Sequence, residues 1–349
     1  MTATTVQRGP LTRGRLAPGP ALAFAAAGVA AAALLFWATP LQGRADFLLA
    51  GYLFAAGAYL GAAGLVEGRR RVADRLARLL VTTAVAVCLV SLGAVLAYTA
   101  VRGLRALDLR FLTHSMHGVG PAERSGGAYH AMVGTVEQVL LASAFAIPVG
   151  IVVAVYLSEV GHGRTAGGVR AVVDLMLGIP SIVAGLFVYA FWVLGLHRGF
   201  SGLAAALALA VIMLPIVVRS SEEMIRLVPA SLREAAYALG VARWRTVVGV
   251  VLPTALGGIT TGVVLAVARI SGETAPLLLT AFGSDSINNS PFHGPQSALP
   301  LFVFTQASSP YASAVDRAWA GAFCLVLVVV VLTAVARLLT RGSRAVVPR

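Results

Sequence analysis

Long apolar runs dominate this sequence and limit the folds open to it. Runs able to cross about 30 Å of hydrocarbon as helices occur at about 20–39, 47–66, 79–101, 131–157, 171–196, 200–218, 247–281 and 317–338. The expectation is an all-α membrane protein, a polytopic helical bundle of about eight transmembrane helices. Of the 349 residues, 58% are hydrophobic and only 12% charged, and the mean hydropathy is +0.86. A soluble domain of this length would need far more polar surface. The first run is followed by many others and reads as a retained span rather than a cleaved signal. The seventh is too long for one straight helix, and Gly272 and Pro276 mark the expected break.

All 27 basic residues are arginine. Without lysine there is no Walker A motif, so the chain is not a conventional P-loop ATPase by itself. The net charge of +13 does not point to nucleic acid, because the arginines are spread between apolar runs rather than gathered on one face. They read as topology signals. With the N-terminus cytoplasmic, 19 arginines fall on the inside and 7 on the outside, and Arg269 stays within a span. The positive-inside rule then places both termini in the cytoplasm. Two external loops are sizeable, at about 102–130 and 283–315. The second, GSDSINNSPFHGPQSALP, reads as a surface loop. Cys88 and Cys324 fall inside spans as small apolar side chains. His114, His117 and His130 have no acidic or cysteine partner in register and read as loop histidines, not metal ligands.

The longest internal segment, RSSEEMIRLVPASLREAAYALGVARWRTVVGVVLP (219–253), has a recognisable design. Ser231 and Glu234 have capping-box spacing before a short helix. Ala235, Ala236 and Ala238 are small, and Gly240 is a C-terminal stop. Such a helix suits docking of a cytosolic partner, and an ordinary interhelical turn is the alternative. Glu234-Ala235-Ala236, then Gly240 after three residues and Leu252-Pro253 after eleven more, resembles the EAA signature of ABC-importer permeases, with Val250 where that signature usually has Ile. The resemblance implies a type I importer permease core whose coupling helix docks on a separate ATPase through Glu234, Ala235, Ala236 and Gly240, with Ser231 at its start.

Residues 134–159, 175–187, 214–253 and 257–281 are similar to the A-type permease of the phosphate-specific transport system (PstA), and ARISGETAPLLL is the most discriminating part. Sulfate- and molybdate-type permeases usually have GEFG-like residues at Gly272–Ala275. The resemblance implies that no cofactor is bound by this chain, since ATP and Mg sit on the ATPase. It implies a second homologous permease (PstC-type), an ATPase dimer (PstB-type), an extracytoplasmic phosphate-binding protein (PstS-type), phosphate and membrane lipid as partners, with no nucleic acid. The rival readings are a permease for another oxyanion, or a non-transporting subunit of a phosphate-sensing complex. The implied division is a tail at 1–19, an extra two-span segment at 20–78, a first core-associated span and loop at 79–130, a transport core at 131–281 and a C-terminal part at 282–349. Members of this family usually have six spans, so the two at 20–39 and 47–66 are additional.

Within ARISGETAP, Arg269 and Glu273 are four residues apart and share a face if the helix is continuous. Each charge near the middle of a membrane helix costs roughly 2.5–3.5 kcal/mol. A structural ion pair, a proton relay and an anion path compete as explanations. Arginine offers forked donors matched to phosphate oxygens. A carboxylate beside it lowers the positive potential, so the contact stays transient. Ser271 and Thr274 add hydroxyls, which completes the expected substrate path of Arg269, Glu273, Thr274 and Ser271.

Overall fold

The computed structural model describes residues 21–38, 43–67 and 69–344. The expected tail at 1–19, with Arg8, Arg13 and Arg15, lies outside the described residues, as does Arg349. Fourteen α-helices fill the described residues: α1 (Ala21–Ala38), α2 (Arg44–Glu67), α3 (Arg69–Ala106), α4 (Leu109–Thr113), α5 (Tyr129–Val155), α6 (Gly163–Gly178), α7 (Ser181–Val188), α8 (Gly202–Arg226), α9 (Ala230–Ala238), α10 (Arg243–Thr246), α11 (Leu252–Ser271), α12 (Ala275–Thr280), α13 (Leu299–Ala307) and α14 (Ala312–Arg344). Three π-helical turns adjoin them, at Tyr156–Val160, Tyr189–Gly195 and Val247–Val251. The last precedes Pro253, whose ring nitrogen has no hydrogen to give to the preceding turn.

Six helices among the described residues are long and apolar enough to cross a membrane, and a bent pair makes a seventh. The first of the eight expected runs forms α1, an 18-residue helix. The fifth is not straight: α6 and the helix from Ser181 to Gly195 meet at 105°. Pro180 causes this, because its ring disfavours helical geometry in the preceding residue, and Ile179 is extended at φ −71°, ψ 128°.

The chain forms two compact units, Met1–Val95 and Leu96–Arg349, with α3 beginning in the first and ending in the second. In the first unit α1 and α2 pack through small residues. A Cβ on Gly28 would lie 2.5 Å from the Gly51 carbonyl oxygen and 2.6 Å from the Ala55 Cβ. Gly28 with Ala32 and Gly51 with Ala55 form the small-xxx-small spacing that lets membrane helices approach closely. Phe24 and Tyr59, and Phe36 and Phe47, close the sides edge to face.

In the second unit α5 and α8 run parallel. Gly134 near the start of α5 and Gly202 at the start of α8 both abut Gln296, and Gly150 further along meets Val217. Ala204, Ala205, Ala206 and Ala208 bury one end of α8 without bulk. α11 lies along α8, with Gly258 against Met224 and Gly262 against Ser220. Val139, Ala142 and Ala146 of α5, Leu209, Met213 and Val217 of α8, and Ala266, Val267 and Ile270 of α11 form the main core.

The loop expected at 283–315 is only partly a surface loop. From Gln296 to Phe302 the chain turns inward, and Gln296, Ala298 and Leu299 are almost wholly buried. Gln138 donates to the Gln296 side chain at 3.0 Å and to the Ser297 carbonyl at 3.2 Å, and Thr135 accepts from the Leu299 amide at 2.7 Å. Glycine at 134 permits this, because a Cβ there would sit 2.0 Å from the Ser297 carbonyl oxygen. His130, expected in a loop, lies in the first turn of α5, buried against Phe302. Arg317, expected as an external topology charge, is buried and clamps the other loop through the Pro121 and Ser125 carbonyls. Cys88 is exposed on α3 and Cys324 is buried, both as free thiols.

Candidate functional site

The break anticipated near Gly272 is present. α11 ends at Ser271, the Gly272 amide turns back to the Arg269 carbonyl at 3.3 Å, and Glu273 donates to the Ile270 carbonyl at 3.2 Å. α12 starts at Ala275, with Pro276 in its first turn. The ring nitrogen of Pro276 cannot donate to the Gly272 carbonyl, so the helical ladder does not continue through this point. Arg269 therefore stands in the last turn of α11, not mid-helix. There the negative end of the helix dipole favours a cation, which lowers the cost of its charge.

The four expected pathway residues differ in exposure. Arg269 is exposed, Glu273 and Thr274 are half-buried, and Ser271 is buried. The Ser271 hydroxyl donates to the Val267 carbonyl at 2.7 Å, so its hydrogen is used within its own helix. Glu273 lies beyond the helix end, and no ion pair joins it to Arg269. The exposed positions Thr254, Thr261, Leu265, Arg269 and Gly272 share one face of the helical segment, a face the other described residues leave uncovered.

The cytoplasmic-type loop forms the expected short helix, α9, with a different start. Pro229 holds the cap position and no side chain caps the helix. Ser231 and Glu234 lie inside the first turns, so the capping-box reading of Ser231 does not hold. Proline at 229 removes the amide that would have needed a cap partner there. The C-terminal stop is as expected. Gly240 adopts φ +74°, its amide donates to the Tyr237 carbonyl at 2.9 Å, and the Val241 amide donates to the Ala236 carbonyl at 3.1 Å. That pair of bonds is the Schellman motif, which needs a left-handed residue at Gly240. Ala236 is buried beneath the helix, while Glu234, Ala235, Tyr237 and Leu239 are exposed.

Two buried carboxylates organise the surroundings of α9. Glu159 receives Arg233 at 2.6 Å, and the same guanidinium donates to the Val228 and Ile225 carbonyls at 2.6 and 3.0 Å. Arg243 donates to the Glu159 carbonyl. Glu222, 1% exposed, receives Arg170 at 2.9 Å, Arg219 at 3.1 Å and Arg226 at 2.7 Å. Arg219 also pairs with Asp174, so its charge is shared between α6 and α8. Arg219 and Arg226 stand three and four residues from Glu222, a local spacing visible in the sequence. Glu159 and Arg233 are 74 residues apart, with no local signal to announce them.

Residues 146–345 match the model of the binding-protein-dependent transport system inner membrane component family. The phosphate transport system permease protein PstA 1 of Mycobacterium tuberculosis (strain CDC 1551 / Oshkosh) is 43% identical over 272 residues, 78% of this chain and 90% of that protein. PstA of Xylella fastidiosa (strain Temecula1 / ATCC 700964) is 45% identical over 249 residues, 71% of this chain and 83% of that protein. Among solved structures, an inward-facing MetNI methionine ABC transporter chain superposes with a TM-score of 0.51 at 18% identity, covering 68% of this chain and 99% of its own. That likeness shows the helical fold alone. The chain belongs to the binding-protein-dependent transport system inner membrane components and, within them, to the PstA permeases.

Proposed function

We propose that this chain is the A-type membrane permease of an ATP-driven importer and that it moves inorganic phosphate across the cytoplasmic membrane, with both termini cytoplasmic. Membership of the PstA permeases supports the substrate. The observation that carries the mechanism is the placement of Arg269: a guanidinium at a helix break, on a face of α11 that the described residues do not cover. Facing lipid, such a group would be costly. Facing a second homologous permease across a shared cavity, it offers forked donors to a passing phosphate. Glu273, just beyond the break, weakens that hold so the anion can leave, and Thr274 adds a hydroxyl beside it. Ser271 contributes as the anchor of the last turn.

Energy enters through α9. Glu234, Ala235, Ala236 and Gly240 form the docking element for an ATPase dimer, which binds ATP and Mg in a separate chain. Ser231 sits in the first turn of that element. The Arg233–Glu159 pair ties α9 to the π-helical turn that follows α5, so a push on α9 reaches the core and switches the cavity between outward- and inward-facing states. Residues 131–281 form the transport core, and the loops at 102–130 and 283–315 receive an extracytoplasmic phosphate-binding protein. The test is uptake of labelled phosphate in a strain lacking this protein, restored by the wild-type gene and challenged with sulfate, molybdate and arsenate. Competition by arsenate but not by sulfate or molybdate is expected. Strong competition by sulfate or molybdate overturns the phosphate reading.

A further inference from the structure

The segment EGRRRVADRLAR, residues 67–78, carries five arginines and two acids, and the fold treats the arginines differently. Arg75 is consumed internally. It gives two hydrogen bonds to Glu67, at 2.6 and 2.7 Å, another to the Tyr59 hydroxyl, and lies over the Tyr59 ring. Arg78 meets Asp74 at 3.5 Å, with both side chains more than 70% exposed. Arg69, Arg70 and Arg71 are exposed, and no carboxylate among the described residues pairs with them. They stand in the first turn of α3, which contains no acidic residue. Cations at that end oppose the helix dipole, and no acidic residue of that turn offsets them.

The helix that follows indicates the source of a countercharge. From Leu79 to Val101 α3 carries no charged residue, and Leu80, Val81, Val87 and Leu89 are each about 60% exposed. Such a surface belongs in hydrocarbon. At 1.5 Å per residue, Arg71 stands about 12 Å before Leu79, at the edge of the headgroup layer and within reach of its surface potential. We propose that Arg69, Arg70 and Arg71 form a binding site for anionic phospholipid headgroups. The guanidinium forks match the phosphate oxygens. The Arg75–Glu67–Tyr59 clamp fixes the start of α3 and so holds the triplet at the membrane surface. This gives the first unit a role independent of the transport path.

The full-length protein is reconstituted in nanodiscs of phosphatidylcholine with phosphatidylglycerol, and the lipids retained on extraction are counted by native mass spectrometry. Wild type is expected to enrich phosphatidylglycerol over its bulk share, less so as salt rises. The variant R69Q/R70Q/R71Q is expected to lose affinity by about fivefold per arginine removed, while R69K/R70K/R71K retains most of the enrichment. Because the triplet's side chains make no hydrogen bond or ion pair among the described residues, both variants are expected to keep the wild-type unfolding midpoint. Equal enrichment in the glutamine variant and wild type overturns the proposal. So does a glutamine variant that keeps its lipid but no longer co-purifies with the ATPase subunit, since that assigns the surface to a protein partner.

Discussion

Arg269 and Glu222 are both charges in an apolar chain, yet their surroundings give them opposite behaviour. Glu222 is buried with three arginines on it, and removing it takes the paired carboxylate from Arg170 and Arg226, while Arg219 keeps Asp174. Glu222→Ala is expected to destabilise by about 2–4 kcal/mol, less than a fully buried pair costs because the arginines are a third to a half exposed. A lower thermal unfolding midpoint in detergent checks this. Arg269 makes no such bonds, so Arg269→Gln is expected to leave that midpoint unchanged while phosphate uptake falls about 10–100-fold, the value of charge-assisted hydrogen bonds to the anion. Glu273→Gln is expected to slow uptake with tighter phosphate retention. Normal uptake in both variants, with the complex assembled, sinks the pathway role. The need for polar company around Arg269 and Glu273 is legible from charges in an apolar run. Their failure to pair is not, because it depends on where the helix ends, and Gly272 and Pro276 set that end through backbone hydrogen bonds.

At the scale of the element, α9 shows how little of a helix its sequence pattern has to settle. Its existence, its small residues and its stop at Gly240 are local matters of propensity and backbone conformation, and all three are read correctly from residues 229–240. The start is misread because Ser-x-x-Glu spacing is satisfied equally inside a first turn, and Pro229 takes the cap position. A β-branched residue is strained at a positive φ, so Gly240→Val is expected to cost about 1–2 kcal/mol locally and to fray the end of α9. The measurement is uptake against co-purification of the ATPase subunit: the variant should lose both while remaining in the membrane. Retention of both means that the Schellman stop does not position the docking surface. The bent pair α6–α7 teaches the same lesson in reverse. Hydropathy sees one apolar run at 171–196, whereas Pro180 divides it at a right angle.

For the whole molecule, every proposed pathway and docking residue falls in the unit Leu96–Arg349, and the family match at 146–345 lies in it too. A chain lacking residues 1–66 is therefore expected to insert and to support phosphate uptake within about twofold of wild type, measured at equal membrane abundance. Loss of uptake with normal insertion makes the first unit part of the transport machinery. What the sequence by itself determined is the membrane class, the approximate spans, the short helix α9 and the family. These rest on hydropathy, local propensity and motif spacing, which act over a few turns of chain. Only the tertiary structure decided that Gln296–Phe302 folds inward, that Glu159 and Glu222 gather distant arginines, and that one face of α11 stays open. Those outcomes depend on which surfaces meet. Glycine at 134, 150 and 202 lets particular backbones approach closely, and no window along the sequence contains the partner that fills the space.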